Sequence, residues 1–247
     1  MEAFQLPGGK PKKKGDVYKF SNGATYTGGI RNGKMNGFGT YDDPSGSKYV
    51  GDWKDGVMHG QGVCDTAEGE RYSGAYEDGV PHGKGTYTFK NGNIYEGDYN
   101  RGKIHGFGTI RFPDNRRYIG EFKDNKKNGK GKYEGANGMY DGEYFDGKKH
   151  GFGIFTWIDG SRYEGPWQND VMHGDTGIKY EKDGRRFKVN YQGGKLLSAV
   201  PLAGGVPGSG VGVAAPMSNS RRTREAPPLS NQFSHASLPA SLGSVGG

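Results

Sequence analysis

Residues 95–117 read YEGDYNRGKIHGFGTIRFPDNRR, and units with this pattern recur along most of the chain. The units begin at residues 26, 49, 72, 95, 118, 140 and 163, so most steps are 23 residues long. Their shared frame is Tyr-x-Gly-x-aromatic-x-x-Gly-x-x-His-Gly-x-Gly, followed by aromatic-x-aromatic and a turn. A fixed period of this length is typical of repeat architectures, in which each unit packs on its neighbours.

Each unit has the pattern of a β-hairpin. Tyr95, Gly97 and Tyr99 alternate with polar residues, which places them on one face of an extended strand. Dipeptides such as Asn32-Gly33 and Asn91-Gly92 favour tight turns and recur about every 11–12 residues. The sequence therefore predicts an all-β fold, an elongated single-layer antiparallel meander of stacked β-hairpins. Two strands per unit at ~4.8 Å each predict a length of ~70 Å for seven units.

The composition fits short strands and tight turns better than a conventional two-layer core. The chain has 247 residues, of which 48 are glycine and only 31% are apolar, yet 13% are aromatic. No apolar stretch approaches the ~18–20 residues of a membrane span, and the N-terminus lacks the apolar run of a signal peptide. The single cysteine, Cys64, has no internal partner for a disulfide. We therefore expect a reducing, cytoplasmic environment.

Composition divides the chain into three segments. We predict a basic flexible segment over 1–15, a repeat domain over 16–194, and a disordered Gly/Ser/Pro/Ala tail over 195–247. A half-repeat at 18–25 and a degenerate unit at 187–194 are expected to cap the repeat domain. The net charge of +7 is concentrated in the two tails. Four residues of the first segment could contact anionic lipid or an acidic partner: Lys10, Lys12, Lys13 and Lys14.

The residues that resemble catalytic or metal-binding groups are explained by the repeat. His59, His82, His105, His150 and His173 occupy one slot, which Asn36 and Asn128 fill in the other units. Neighbours in this slot should lie ~9–10 Å apart, too far to share one Zn²⁺. We interpret the slot as a position in a turn, stabilised by hydrogen bonds.

Other chemistry also lacks support in the pattern. The His-Gly-x-Gly segments precede strands, whereas phosphate-binding loops precede helices. The carboxylates form no isolated pair, and Cys64 occupies the slot of Tyr41, Tyr87 and Tyr133, where a small buried role is expected. We therefore predict no catalytic residue, no metal, no cofactor and no enzymatic activity.

The aromatic stripe is the candidate site. A one-layer sheet has no second layer to cover its rings, and exposed apolar patches usually mark interaction sites. The candidate partner-binding groove contains Trp53, Tyr76, Tyr99, Phe122, Tyr144 and Trp167 from the first strands, with Phe89, Phe112 and Trp157 from the second strands.

The frame resembles the MORN repeat (membrane occupation and recognition nexus), on the segments YVGDWKDGVMHGQG from Tyr49, YEGDYNRGKIHGFG from Tyr95 and YDGEYFDGKKHGFG from Tyr140. The resemblance covers about residues 16–194. It implies an elongated, twisted sheet of stacked hairpins with an aromatic groove. It also implies a scaffold at membranes, cytoskeletal structures or cilia. Members of the family bind phosphoinositides, hold a partner's helix, dimerise, or carry an attached enzyme, and no room for such an enzyme is expected here.

Two functional hypotheses follow. The first is a non-enzymatic scaffold whose groove binds a segment of a partner protein in a cytoskeletal, ciliary or flagellar assembly. The alternative is a peripheral membrane adaptor that binds anionic phospholipids through its basic tails and repeats. Nucleic-acid binding needs a basic face threaded with aromatics, and the nearly balanced charge of the repeats argues against it. A homodimer is left open.

Overall fold

The computed structural model describes residues 17–203, which form an all-β fold without helices. Lys10, Lys12, Lys13 and Lys14 and the tail after residue 203 lie outside the described residues. The strands are β1 (Val17–Lys19), β2 (Thr25–Arg31), β3 (Lys34–Asp42), β4 (Lys48–Lys54), β5 (Val57–Asp65), β6 (Arg71–Glu77), β7 (Val80–Thr88), β8 (Ile94–Asn100), β9 (Lys103–Arg111), β10 (Arg117–Lys123), β11 (Lys126–Gly135), β12 (Gly138–Phe145), β13 (Lys148–Trp157), β14 (Arg162–Gln168), β15 (Val171–Met172), β16 (Gly174–Tyr180), β17 (Arg186–Gln192) and β18 (Lys195–Pro201). Within this range no helix is long and apolar enough to cross a bilayer.

The described chain divides into two compact units. The N-terminal unit contains residues 17–115 and 122–125, and the C-terminal unit contains residues 116–121 and 126–203, so β10 contributes to both. Within each unit the strands pair antiparallel with their neighbours in sequence, as β8 does with β7 and β9, and β13 with β12 and β14. The predicted all-β antiparallel meander is confirmed.

The tight turns have the backbone conformation that the sequence predicts. Asn32 and Gly33 have φ angles of 51° and 71°, and the other first turns have the same pattern of two positive values. This is the geometry that matches the twist of a two-residue hairpin. Arg101 adopts it as well, at φ 48°, although only glycine, asparagine and aspartate take up positive φ readily. Gly102 follows it with φ 78°, so the turn keeps its shape without the usual first residue.

A β-bulge interrupts the first hairpin of the repeats. The pairing of β8 with β9 shifts between Gly97 and Tyr99, and Gly106 on the facing strand has φ 67°. The glycine that follows the histidine slot is therefore a bulge residue. This corrects the prediction that the histidines lie in turns: His105 lies inside β9, one residue before the bulge glycine. The period-two pattern hid the bulge because three residues of β9 (105–107) face Asp98 alone. Two extra residues are an even insertion, so the alternation on either side stays in phase.

In several repeats a carboxylate accepts a hydrogen bond from a backbone N–H at the bulge. Asp98 Oδ2 accepts a hydrogen bond of 3.0 Å from the backbone N–H of Phe107. Asp52 and Glu121 accept equivalent bonds from Gln61 and Lys130. Burial raises the pKa of Asp98, but the hydrogen bonds from Lys84 and from the Phe107 N–H outweigh it and hold that pKa below its usual range. The acidic residue of the frame thus has a structural role at the bulge.

The C-terminal end of the repeats differs from the sequence prediction in two ways. β18 lies inside the range assigned to the tail, because the positive φ angles of Gly193 and Gly194 reverse the chain and let it pair with β17. Pro166 lies inside β14, and a proline in a strand is expected to weaken it or place it at an edge, because proline has no N–H to donate. Here β14 pairs on both sides, and the irregularity falls on the next strand, which is split into β15 and β16.

Candidate functional site

Each repeat is built on a tyrosine ring that covers two glycines. The ring of Tyr95 lies against Gly97 of its own strand and Gly108 of the facing strand, and a Cβ atom on either glycine would collide with it. Its hydroxyl donates a hydrogen bond of 2.9 Å to the backbone carbonyl of Asp98, beside the bulge. The frame requires the glycines because the ring occupies the space that their side chains would need.

The hydroxyl bond explains why the first position is tyrosine. The same bond to the residue three positions later, at 2.9–3.1 Å, is made by Tyr26, Tyr49, Tyr72, Tyr95, Tyr118, Tyr140 and Tyr163. Phenylalanine could fill the space but could not donate, and Phe187 of the degenerate last unit is such a case. Within each unit, we call the side of the sheet that carries these rings the tyrosine face.

The second aromatic position, which is Ile30 in the first repeat, otherwise carries a ring that stands edge-on to these tyrosines. The ring of Tyr99 lies 5.4 Å from Tyr95 and 5.2 Å from Tyr72, at interplanar angles of 86° and 88°. Tyr144 has the same relation to Tyr140 and Tyr118. Edge-to-face contacts of this kind contribute about 0.5–1.5 kcal/mol beyond the area they bury. The rings hold neighbouring repeats together.

The predicted groove residues are mostly core. Seven of the nine are buried: Trp53, Tyr76, Tyr99, Phe122, Tyr144, Trp167 and Phe89. Phe112 and Trp157, at the ends of second strands, are half-buried. The sequence could not distinguish these cases, because covering the rings depends on edge-on packing between repeats. Partner binding by these nine residues stays a prediction.

The MORN family model matches residues 26–48, 49–71, 72–94, 95–115, 118–139, 140–162 and 163–174. These matches cover more than half of the chain and begin at the seven tyrosines described above. The chain belongs to the MORN-repeat family. Comparison with curated proteins gives no significant match.

Solved structures with weaker similarity to this MORN chain include TCP domains. The TCP domain of SAS-4 (dCPAP) of Drosophila melanogaster, in complex with a proline-rich motif of Ana2 (dSTIL), is 10% identical, with 75% of this chain and 97% of that chain covered and a TM-score of 0.39. The TCP10 domain of Danio rerio CPAP in complex with a STIL peptide is 10% identical, with coverages of 75% and 98% and a TM-score of 0.28.

One position of the MORN repeat differs between the two units, and it was not among the candidate residues predicted from the sequence. The residue before the histidine or asparagine is buried and uncharged in the N-terminal unit, where it is Met35, Met58, Pro81 or Ile104. In the C-terminal unit it is Lys127, then Lys149, then Met172. Both lysines are buried, with 8% and 9% of their surface exposed. Aligning this slot across the repeats would have revealed them.

Aromatic rings surround both lysines. The Lys127 ammonium lies 4.6 Å from the ring centroid of Tyr118, 5.0 Å from Tyr133 and 5.2 Å from Tyr144. The Lys149 ammonium lies 5.1–5.5 Å from the centroids of Tyr140, Phe155 and Trp167. Such contacts are attractive, because the face of a ring is electron-rich. Burial nevertheless dominates and lowers the pKa of Lys127 to about 7.

The opposite side of the sheet carries exposed phenylalanines that the sequence analysis passed over. Phe38, Phe107 and Phe152 occupy the variable position of the His-Gly-x-Gly segment and are 67%, 55% and 55% exposed. In the C-terminal unit Phe152 borders a shallow cleft of about 260 Å³, which Pro166 and His173 also line. In other repeats a carboxylate occupies the position of Pro166 and bonds to the bulge.

The histidines and the cysteine are dispersed through the repeats. Among residues 17–203 no three His, Cys, Asp or Glu side chains lie close enough to hold one metal ion. The Nδ1 atoms of His59 and His150 are buried without a hydrogen-bond partner within the described part of the chain. Cys64 is buried, and burial followed by the charge of Asp65 raises the pKa of its thiol to about 11. A thiol with so high a pKa is a poor nucleophile.

Proposed function

We propose that this chain is a non-enzymatic scaffold that binds an extended segment of a partner protein along its tyrosine face. The observation that carries the proposal is that no other element of the described residues packs over this face. Every described strand pairs with neighbouring strands within the sheet, and residues 17–203 supply no helix or second sheet to pack over the rings.

The buried and half-buried rings have different parts in this proposal. The buried residues, such as Tyr99 and Trp167, form a rigid floor held by edge-on contacts and by hydrogen bonds such as Trp167 Nε1 to the Gly153 carbonyl at 3.2 Å. Phe112 and Trp157 are the accessible rings of the predicted groove and would contact the partner directly. A floor that is already ordered keeps the entropic cost of binding low.

The cellular setting is part of the proposal. MORN-repeat membership supports a scaffold in a cytoskeletal, ciliary or flagellar assembly in the cytoplasm. A tagged full-length chain is expected to concentrate at such a structure in fixed cells. A uniform distribution that does not change with the cell cycle would argue against this setting.

The alternative is a peripheral membrane adaptor. Four lysines within residues 1–15 favour it, because each could contribute about 1 kcal/mol near an anionic surface. Replacing Lys10, Lys12, Lys13 and Lys14 by glutamine should abolish sedimentation with phosphatidylserine vesicles if the adaptor hypothesis holds. A chain that does not sediment with these vesicles at low salt would eliminate it.

The scaffold proposal is tested by capturing partners from native cells with two double variants. Phe112→Ala with Trp157→Ala removes the accessible rings of the tyrosine face. Phe38→Ala with Phe107→Ala removes exposed rings from the opposite side and serves as the matched control. We expect the first variant to lose specific partners at least about tenfold and the second to retain them. Equal capture by both variants, with far-UV circular dichroism unchanged, would refute binding along the tyrosine face.

A further inference from the structure

We propose that Asn32, in the first turn of the N-terminal unit, is a site of spontaneous deamidation, where the asparagine is converted into aspartate and isoaspartate without an enzyme. The reaction is fastest where glycine follows asparagine, because a residue without a side chain lets its backbone nitrogen approach the asparagine amide. Such dipeptides lie at residues 22–23, 32–33, 36–37, 91–92, 128–129 and 137–138. Backbone hydrogen bonds or strand pairing constrain the others, and the turn at 32–33 differs from them.

The reaction involves only Asn32, Gly33 and water. The backbone nitrogen of Gly33 attacks the Cγ atom of Asn32, a C–N bond forms, and the side-chain nitrogen leaves as ammonia with the proton of the Gly33 N–H. Water then opens the resulting succinimide ring. Cleavage between the Gly33 nitrogen and Cγ gives aspartate, and cleavage between that nitrogen and the main-chain carbonyl carbon gives isoaspartate. No oxidant or reductant takes part.

The first turns of the later repeats hold the corresponding nitrogen in a hydrogen bond between repeats. The N–H of the second turn residue donates to a backbone carbonyl of the preceding repeat, as Gly56 does to Met35 and Gly79 to Met58, each at 2.9 Å. The donors, at 2.8–3.0 Å from their acceptors, are Gly56, Gly79, Gly102, Asn125, Gly147, Asp170 and Gly194. Such a turn must lose this bond before its nitrogen can attack.

Gly33 has no such bond, since the described chain contains no complete repeat before its turn. Within residues 17–203 the chain before β2 is limited to β1 and one turn, and β1 pairs with β2 only over residues 25–27. The part of the chain that the structure describes therefore offers the Gly33 N–H no backbone acceptor. Asn32 and Gly33 are both exposed, so water can reach the amide and the ring that it forms.

The other Asn-Gly turns between strands are held by local hydrogen bonds. The Asn22 side-chain oxygen accepts a bond of 3.0 Å from the Ala24 N–H, and the Gly23 N–H donates to the Phe20 carbonyl at 3.0 Å. The turn at 91–92 has the same pair of bonds, at 3.0 and 2.9 Å. Both the amide and the attacking nitrogen are therefore engaged in these two turns, although they are as exposed as the turn at 32–33.

The remaining dipeptides belong to the sheet. Residues 36–37 lie inside β3, and residues 128–129 lie inside β11. Gly138 begins β12, where it pairs with Gly135 on one side and Trp157 on the other. Ring closure rotates the main chain at the asparagine, so at these places it would also disrupt strand pairing.

The products are expected to act on the first hairpin. Arg31 pairs with Lys34 next to the turn, and Ile30 pairs with Met35 beyond them. Isoaspartate inserts a methylene group into the main chain of this two-residue turn, whose conformation matches the twist of the strands. We therefore expect it to weaken both pairs and loosen the first hairpin of the N-terminal unit. Aspartate leaves the main chain unchanged and adds only a negative charge beside Arg31 and Lys34.

The test follows deamidation of the full chain at pH 7.4 and 37 °C by peptide mapping with mass spectrometry. The same measurement in urea gives the rate of each asparagine in the unfolded chain and removes the effect of local sequence. Asp78→Asn is the matched control, since it places asparagine in a turn of the same conformation whose Gly79 N–H is bonded to Met58. We expect folding to slow this control at least about fivefold more than Asn32, the factor that one backbone hydrogen bond contributes.

Two results would overturn the proposal. If folding slows Asn32 as much as it slows Asn22 and Asn91 in the unaltered chain, the site is refuted without relying on any variant. If the asparagine introduced by Asp78→Asn reacts as fast as Asn32, with far-UV circular dichroism unchanged, the missing bond does not determine the site.

A second measurement separates the two products. Methylation by protein L-isoaspartyl methyltransferase detects isoaspartate, and we expect the signal to come from the peptide that contains residue 32. Backbone hydrogen exchange at Arg31 and Lys34 should rise in the aged chain and stay near its original rate in Asn32→Asp, which carries the charge without the added methylene. An unchanged exchange rate in a chain that contains isoaspartate would overturn the expected effect on the hairpin.

Discussion

The two units build the same hairpin around different residues at one slot. In the N-terminal unit Ile104 pairs with Tyr99, and in the C-terminal unit Lys149 pairs with Tyr144, in the same register beside the bulge. The backbone pairing therefore does not depend on whether the slot is apolar or cationic. What changes is the chemistry of the position, since the lysines place an amine among aromatic rings. The comparison separates what the frame requires from what it tolerates.

The largest losses of stability are expected from replacing the glycines that both units place beneath their tyrosine rings. Gly97→Ala and Gly142→Ala should each destabilise the chain by about 3 kcal/mol or more, because a Cβ would lie 2.6 Å from the Gly108 Cα in one unit and 2.5 Å from the Gly153 Cα in the other. Urea denaturation measures the loss, and Thr86→Ala serves as a control on a half-buried threonine. A loss below 1 kcal/mol in only one unit would mean that the units do not share this requirement.

The second prediction places a lysine in the N-terminal unit, at the position that is lysine in two repeats of the C-terminal unit. Met58→Lys places an amine in the N-terminal slot, where Met58 is buried near Cys64, Tyr72 and Tyr76. We expect a loss of about 2–3 kcal/mol at pH 7. Met58→Leu, which keeps the slot apolar, should cost less than about 1.5 kcal/mol. If the lysine variant is as stable as the leucine variant, a lysine at this position has no measurable cost in stability in the N-terminal unit.

The reverse exchange should stabilise the C-terminal unit in a pH-dependent way. Lys127→Met is expected to add about 2 kcal/mol at pH 7, since replacing a buried charged group by an apolar one is often stabilising. Burial lowers the pKa of Lys127 to about 7, so the native state binds fewer protons than the unfolded state between that value and the ordinary 10.5. The stability of the unaltered chain should therefore rise with pH across this window and fall as pH is lowered toward 7.

The advantage of Lys127→Met should accordingly shrink by about 1.4 kcal/mol per pH unit between pH 8 and 9. Thermal denaturation at pH 7, 8 and 9 measures this slope, with Lys130→Met as the exposed control. A pH-independent advantage would show that the amine in the folded chain titrates normally.

The smallest effect concerns the carboxylate at the bulge. Asp98→Asn weakens the bond to the Phe107 N–H and removes the ion pair with Lys84, at 2.6 Å. We expect a loss of about 0.5–1 kcal/mol at pH 7, because the pair is largely exposed and screened by solvent. The hydrogen bonds to Asp98 outweigh burial and lower its pKa. The ionised carboxylate therefore stabilises the fold above the usual pKa of an aspartate, and this stabilisation is lost as the pH falls through the lowered pKa of Asp98. Equal destabilisation at pH 3 and pH 7 would contradict this assignment, and Glu68→Gln is the exposed control.

The repeat frame determined most of the fold from sequence. The tyrosine period, the Asn-Gly and Asp-Gly turns and the period-two pattern predicted the strands and their antiparallel order, because these features depend only on local conformation. The bulge at Gly106 escaped the prediction, since a positive φ inside a strand cannot be distinguished by composition from a turn glycine. The same limit applies to β18, whose composition resembles that of the tail although its residues pair with β17.

The candidate site was less predictable than the fold. Reading along one repeat identifies Tyr99 as an inward ring, but its burial depends on Tyr72 of the preceding repeat. The lysine slot is visible only when repeats are compared with each other, because Lys127 looks like a surface residue within its own segment. Its environment comes from Tyr118, Tyr133 and Tyr144, which lie on three different strands.

The short range of the strand pairing bears on how this chain is made. Even a pair as distant in sequence as Gly138 and Trp157 is separated by less than one repeat. Chains dominated by local contacts fold quickly, and units can form as they leave the ribosome. We expect each hairpin to close soon after its second strand is synthesised and to serve as the template for the next. A gene of this kind can gain or lose whole repeats by duplication or deletion while the remaining hairpins keep their neighbours.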